Sequence, residues 1–234
     1  MSMDPLLAKA RGLWEDLAGV PVSFAPTGGV NVVVSPESGV CPVGWAGVVA
    51  LGESAIVTVP SESAAVIVRD ALTRLPVDAA AVREVLPLAR VLGPAVLSYM
   101  SPEGFRPVAG SSTVEQLSGH HPALRSLETA AGPEDAAEAA LDEITSPVFV
   151  VREHGKVVAA AGYQTWPRRT AHFSVLTAPA VRGRGLARAT GSAAVTHALA
   201  AGLLPQWRAR LRASQRVAAA LGFEELGAQL SIEI

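Results

Sequence analysis

Residues 175–187, Val-Leu-Thr-Ala-Pro-Ala-Val-Arg-Gly-Arg-Gly-Leu-Ala, decide how this chain is read, because an apolar strand runs there into a Gly/Arg turn that opens an Ala-rich helix. Gly183 and Gly185 lack a Cβ, so the backbone can turn sharply and expose successive N–H groups. The helix expected from Leu186 adds the positive end of its dipole, which makes the turn an anion site of a size to take a diphosphate. Arg182, Arg184 and Arg188 add guanidinium groups, whose fork geometry suits phosphate oxygens.

Two nucleotide loops fail against these residues. A Walker loop ends in Gly-Lys-Ser/Thr, whereas Gly185 is followed by Leu186 and Ala187. A dinucleotide fingerprint needs a third glycine where Arg188 stands, a bulky residue at a point of close helix–strand packing. The pattern that is satisfied is Arg/Gln-x-x-Gly-x-Gly/Ala, through Arg182, Gly185 and Ala187, after a strand that ends in Thr177-Ala178-Pro179. This resembles motif A of the GNAT acyltransferase superfamily, whose members bind acetyl-coenzyme A.

Downstream residues agree. A helix from Leu186 to Ala201 is closed by Gly202, the segment 203–210 reads as a strand, and 213–223 as a helix ending in Leu221-Gly222-Phe223. The second motif of the superfamily has this form, Asn-x-x-Ser followed by a helix that ends in Leu-Gly-Phe. Ser214 falls at its serine, and the Pro205-x-Trp207 before it resembles one bacterial subgroup. Two departures stand out. Leu211 occupies the usual asparagine position, and Ala218 the position of a tyrosine that protonates the departing thiolate in many members.

The resemblance implies an α/β fold: in the C-terminal half, a mixed and mostly antiparallel sheet flanked by helices. Its order is strand (114–117), helices (122–145, broken at Gly132-Pro133), three strands (147–152, 156–163, 171–177), helix, strand, helix, strand. It further implies acetyl-coenzyme A as co-substrate, with the pantetheine arm pairing against the backbone of Val175, Leu176 and Thr177. The same resemblance places the diphosphate on Arg182, Gly183, Arg184, Gly185, Leu186, Ala187 and Arg188, and Ser214 on the cofactor side. The acceptor that the resemblance implies is an amine of a small molecule or peptide. A lysine-like amine has a pKa of about 10.4, so direct attack at neutral pH calls for a base. The strand Ala171–Thr177 carries no carboxylate, which leaves His172 as its conventional base and Ser174, two residues on, as a residue able to hold a water. His172 also reads as an ordinary hydrogen-bonded strand residue. Tyr163, on the neighbouring strand, is the next catalytic candidate, although its pattern favours a core aromatic with a wet hydroxyl.

The remaining sequence bounds the partners. A net charge of -2 over 234 residues argues against nucleic acid, and no apolar run approaches the length of a membrane span. One cysteine, Cys41, excludes an internal disulfide and reads as an apolar filler. His120-His121 lacks further ligands at metal spacing, so no metal site is expected. Residues 1–19 read as an amphipathic helix rather than a secretion signal, which makes a cytoplasmic protein the default, and a homodimer stays open. The turn-rich stretch 101–112 divides two expected domains, 1–110 and 111–234. The first, with strands at 31–35, 46–51 and 55–59 and a helix at 64–75, is α/β as well. It reads either as a degenerate acyltransferase-like half or as an unrelated cap. The alternative function is a non-catalytic acyl-coenzyme A-binding regulatory module, with a generic nucleotide-binding domain a distant third.

Overall fold

The computed structural model describes residues 4–26, 28–72, 90–108 and 113–233. The end of the helix expected at 64–75 and the last part of the expected linker therefore lie outside the described residues. In chain order the elements are α1 Pro5–Leu17, β1 Gly29–Val34, β2 Ala46–Leu51, β3 Ser54–Val59, α2 Glu62–Leu72, β4 Arg90–Tyr99, β5 Glu115–Leu117, α3 Ala123–Ala131, α4 Pro133–Ala139, β6 Val148–Glu153, β7 Lys156–Trp166, β8 Thr170–Thr177, α5 Leu186–Ala200, β9 Leu204–Ala209, α6 Arg212–Leu221 and β10 Glu224–Glu233. The strands and helices expected of the C-terminal half are present in the expected order. Two compact units result: Met1–Ser98 with Arg208–Arg212 and Glu225–Ile234, and Tyr99–Trp207 with Ala213–Glu224.

In the first unit the strand order is β1-β3-β2-β10-β4, with β1 and β3 parallel and β2 antiparallel to both β3 and β10. Val48, Val57, Val59, Val68, Leu230 and Ile232 meet in its core. The expected amphipathic helix is α1. Asp4 caps it by accepting from Leu6 N at 2.9 Å, and Leu6, Ala10, Leu13 and Trp14 are buried at helical spacing.

In the second unit the order is β9-β8-β7-β6-β5, antiparallel except for the parallel pair of β8 and β9. A parallel neighbour requires a crossover, and α5 supplies it. Strand alternation splits the side chains between two faces. On one, Leu176, Ala160 and Val150 pack with Leu124 and Leu127 of α3 and with Leu141, which follows α4. On the other, Tyr163, Phe173, Trp207 and Phe223 form an aromatic cluster, with Phe173 against Trp207 at 5.9 Å and Trp207 edge-on to Phe223 at 5.4 Å between ring centroids. The tip of the β6–β7 hairpin falls at His154 and Gly155, both with positive φ, where the Glu-His-Gly composition placed it.

Candidate active site

Strand β8 ends at Thr177 and the chain passes through a short 3-10 turn, Pro179–Val181, before the glycines. Gly183 has φ +77° and Gly185 φ +79°, a region that costs other residues about 1–2 kcal/mol each. Nothing lies within 4 Å of where a Cβ would stand on either. Gly185 is the N-cap of α5 and has no side chain to satisfy the first turn, whose first helical bond to appear is Ala189 N to Gly185 O at 3.0 Å. The amides ahead of Ala189 are thus left for an external acceptor, with the helix dipole behind them.

The three arginines have separate fates. Arg182 donates to Thr177 O at 3.2 Å and pairs with Asp135 of α4. Arg184 makes a two-pronged pair with Glu153 at the end of β6, at 2.7 and 3.1 Å. Both pairs are partly exposed and stabilise by no more than about 1 kcal/mol each, but they anchor the loop from two sides. Arg188 is exposed and makes no ion pair among the described residues. Leu186 is buried beneath the loop, packed on Val151 and Ala159.

Pairing between β8 and β9 covers Thr170–His172 against Leu204–Gln206 and stops there, although both strands continue. The backbone edge of Phe173–Thr177 that faces away from β7 therefore carries no paired strand among the described residues. Val175, Leu176 and Thr177 all lie on that edge, and the Thr177 hydroxyl at its end is buried without a hydrogen-bond partner among the described residues.

His172 and Ser174 share the face of β8 that carries Leu176, since the register runs without a shift and places Gln164 opposite His172 and Gly162 opposite Ser174. Tyr163 stands opposite Phe173 and so occupies the other face. It is 4% exposed, donates to or accepts from His197 Nδ1 at 2.9 Å, and burial pushes its phenol above the usual tyrosine value. The structure brings His172 and Ser174 together and sets Tyr163 apart from them, in the aromatic core. Ser214 accepts a hydrogen bond from Trp207 Nε1 at 2.9 Å, which ties β9 to α6. Ala218 is buried at 1% exposure, and Leu211 is 57% exposed.

Two further residues lie beside His172. Gln206 lies opposite it across the parallel pair, fully buried, with Oε1 on His172 Nδ1. The indole of Trp166 stacks on the imidazole at 4.0 Å between centroids and 15° between planes. No group of three or more His, Cys, Asp or Glu able to hold a metal ion occurs among the described residues, and no described helix is long and apolar enough to cross a membrane.

Residues 148–228 match a family model described as GNAT acetyltransferase. Similar solved structures include a GNAT-family acetyltransferase from Novosphingobium aromaticivorans, at 23% identity and TM-score 0.49 over 62% of this chain and 65% of that one. A GCN5-related N-acetyltransferase from Kribbella flavida aligns at 18% identity and TM-score 0.48, over 66% of this chain and 63% of its own. An acetyltransferase from Salmonella typhimurium, described with its cofactor acetyl-CoA, aligns at 20% identity and TM-score 0.40 over 52% of this chain and 92% of its own. The chain thus spans less than two thirds of the length of the first two. Comparison with curated proteins gave no match.

Proposed function

We propose that this chain transfers an acyl group, acetyl in the first instance, from coenzyme A directly to an amine acceptor. The observation that carries the reading is the turn at 182–188: two positive-φ glycines with open space over both, an uncapped helix behind them, and a segment that matches the GNAT acetyltransferase family. The donor set fits the diphosphate of coenzyme A, because backbone amides and the guanidinium of Arg188, without an ion pair among the described residues, are all hydrogen-bond donors to anionic oxygen. The free edge of β8 fits an extended chain of amides, so Val175, Leu176 and Thr177 are the residues to hold the pantetheine arm.

Bound acetyl-coenzyme A supplies an acyl group on a C–S bond that breaks with its electron pair leaving on sulfur. His172 accepts the proton that the amine gives up as the new C–N bond forms, and Ser174 on the same face orients that amine or an intervening water. Tyr163 takes no part in this scheme, being held in the aromatic core. The proton for the sulfur comes from solvent, since the buried Ala218 has none to give.

Ala218 and the exposed Leu211 also favour a second reading, a coenzyme A-binding regulatory module without turnover. Acetyl-coenzyme A should raise the thermal midpoint in a concentration-dependent manner under both readings. Release of free thiol with a panel of amines separates them: turnover above background supports the transferase, and binding without turnover supports the module. No shift of the midpoint at millimolar acetyl-coenzyme A overturns both.

A further inference from the structure

We propose that Gln206 is a positioning residue that fixes the tautomer of His172, and thereby makes Nε2 the proton acceptor on the amine side of the site. The inference rests on the transferase reading and adds to it a residue that lies 34 positions from the histidine it serves. Register puts Gln206 directly opposite His172 on the same face of the sheet, through the parallel pair that precedes the parting of β8 and β9. The side chain is fully buried. Its Oε1 has no hydrogen to give, so the contact with His172 requires the imidazole to donate from Nδ1. A neutral ring with its hydrogen on Nδ1 carries its lone pair on Nε2.

Two further features show that the pair is built for orientation rather than for packing. Gln206 Nε2 is buried with no hydrogen-bond partner among the described residues, an arrangement that costs stability and that a valine or leucine at this β-sheet position would avoid. Trp166 holds the plane of the same imidazole by stacking at 4.0 Å, and its own orientation is set by Nε1 donating to Gln164 Oε1 at 2.7 Å. The ring is thus located by a hydrogen bond at one edge and an indole on one face. Neither contact brings a charge.

The test is nitrogen-15 NMR of the histidines in the free full-length protein, with His172 assigned by its loss in His172→Gln, alongside steady-state kinetics of Gln206→Met and Gln206→Glu. The wild-type protein should show the Nδ1–H form of His172. Gln206→Met, which keeps the volume and removes the acceptor, should shift His172 toward the Nε2–H form. It should also lower kcat about tenfold or more, with the KM of acetyl-coenzyme A and its dissociation constant within twofold. Gln206→Glu restores an acceptor at the same atom and should recover the Nδ1–H form. A wild-type spectrum with the Nε2–H form overturns the proposal whether or not either variant folds. An unchanged tautomer and unchanged kcat in Gln206→Met overturn it as well. The spectrum needs no turnover, so a wild type that binds no acetyl-coenzyme A fails the transferase reading, and with it the role assigned to Nε2, by a different measurement.

Discussion

Gly185 and Gly222 both end or begin a helix with positive φ, and the space around them is opposite. At Gly185 a Cβ would meet nothing within 4 Å, whereas at Gly222 it would stand 1.9 Å from Gly104 O. The first glycine leaves room for something outside the chain; the second lets two stretches of backbone touch. Around Gly222 the chain is closed on itself, with Phe223 N on Ala218 O at 3.1 Å and Arg106 N on Leu221 O at 2.9 Å. Around Gly185 the amides of residues 183–188 have no backbone partner among the described residues. A sequence motif can therefore place both glycines, and only the surroundings tell a ligand's glycine from a fold's glycine.

The comparison breaks most readily at Gly222. Gly222→Ala forces a main-chain collision that no rotamer relieves, in addition to the positive-φ penalty, and should cost about 3 kcal/mol or more of stability. A urea midpoint equal to that of the wild type would show that the crowding is not what holds the 104 and 222 segments together. Gly185→Glu is the counterpart. It should lose about 1–2 kcal/mol to backbone strain alone, and abolish binding of acetyl-coenzyme A by setting a carboxylate against the diphosphate. Near-wild-type affinity in calorimetry would remove the loop from the cofactor site. Arg188→Ala comes next, with about fivefold weaker binding, or about 1 kcal/mol, and an unchanged melting temperature. A larger loss for Arg184→Ala than for Arg188→Ala would reverse the order that their pairing implies.

The loop was legible because its conformation demands particular residues locally: glycine for two positive φ values and a helix former straight after. The ends of α5 and α6 were legible for the same reason, at Gly202 and Gly222. What lay beyond reach were the partners set by register and by crossover. His172 meets Gln206 only because α5 returns the chain parallel to β8, and nothing near His172 in sequence announces it. Arg182 and Arg184 are legible as phosphate ligands from the motif and the guanidinium geometry, whereas their ion-pair partners in the fold, Asp135 and Glu153, stand 47 and 31 residues away. Tyr163 and His172 sit one register position apart across the β7–β8 pair, and that single step puts them on opposite faces.

Those carboxylates allow the smallest and most discriminating test of the loop. Glu153 lies on Arg184 with both oxygens engaged, in a pair whose side chains are 28% and 55% exposed. An anion arriving at the amides of 183–188 meets an arginine already neutralised and a carboxylate that repels it. Glu153→Gln keeps the shape, removes the negative charge and releases most of the hold on Arg184. Its effect on stability should be within about 0.5 kcal/mol, as for other exposed pairs. Acetyl-coenzyme A should bind about twofold more tightly, an effect of roughly 0.4 kcal/mol that shrinks as salt is raised, because the charges concerned are screened over about 10 Å at 0.1 M. Calorimetry at low and high salt reads both. If Glu153→Gln instead weakens binding, the ion pair serves to hold the loop in its binding shape, and the pairing of Arg184 is part of the site rather than competition for it.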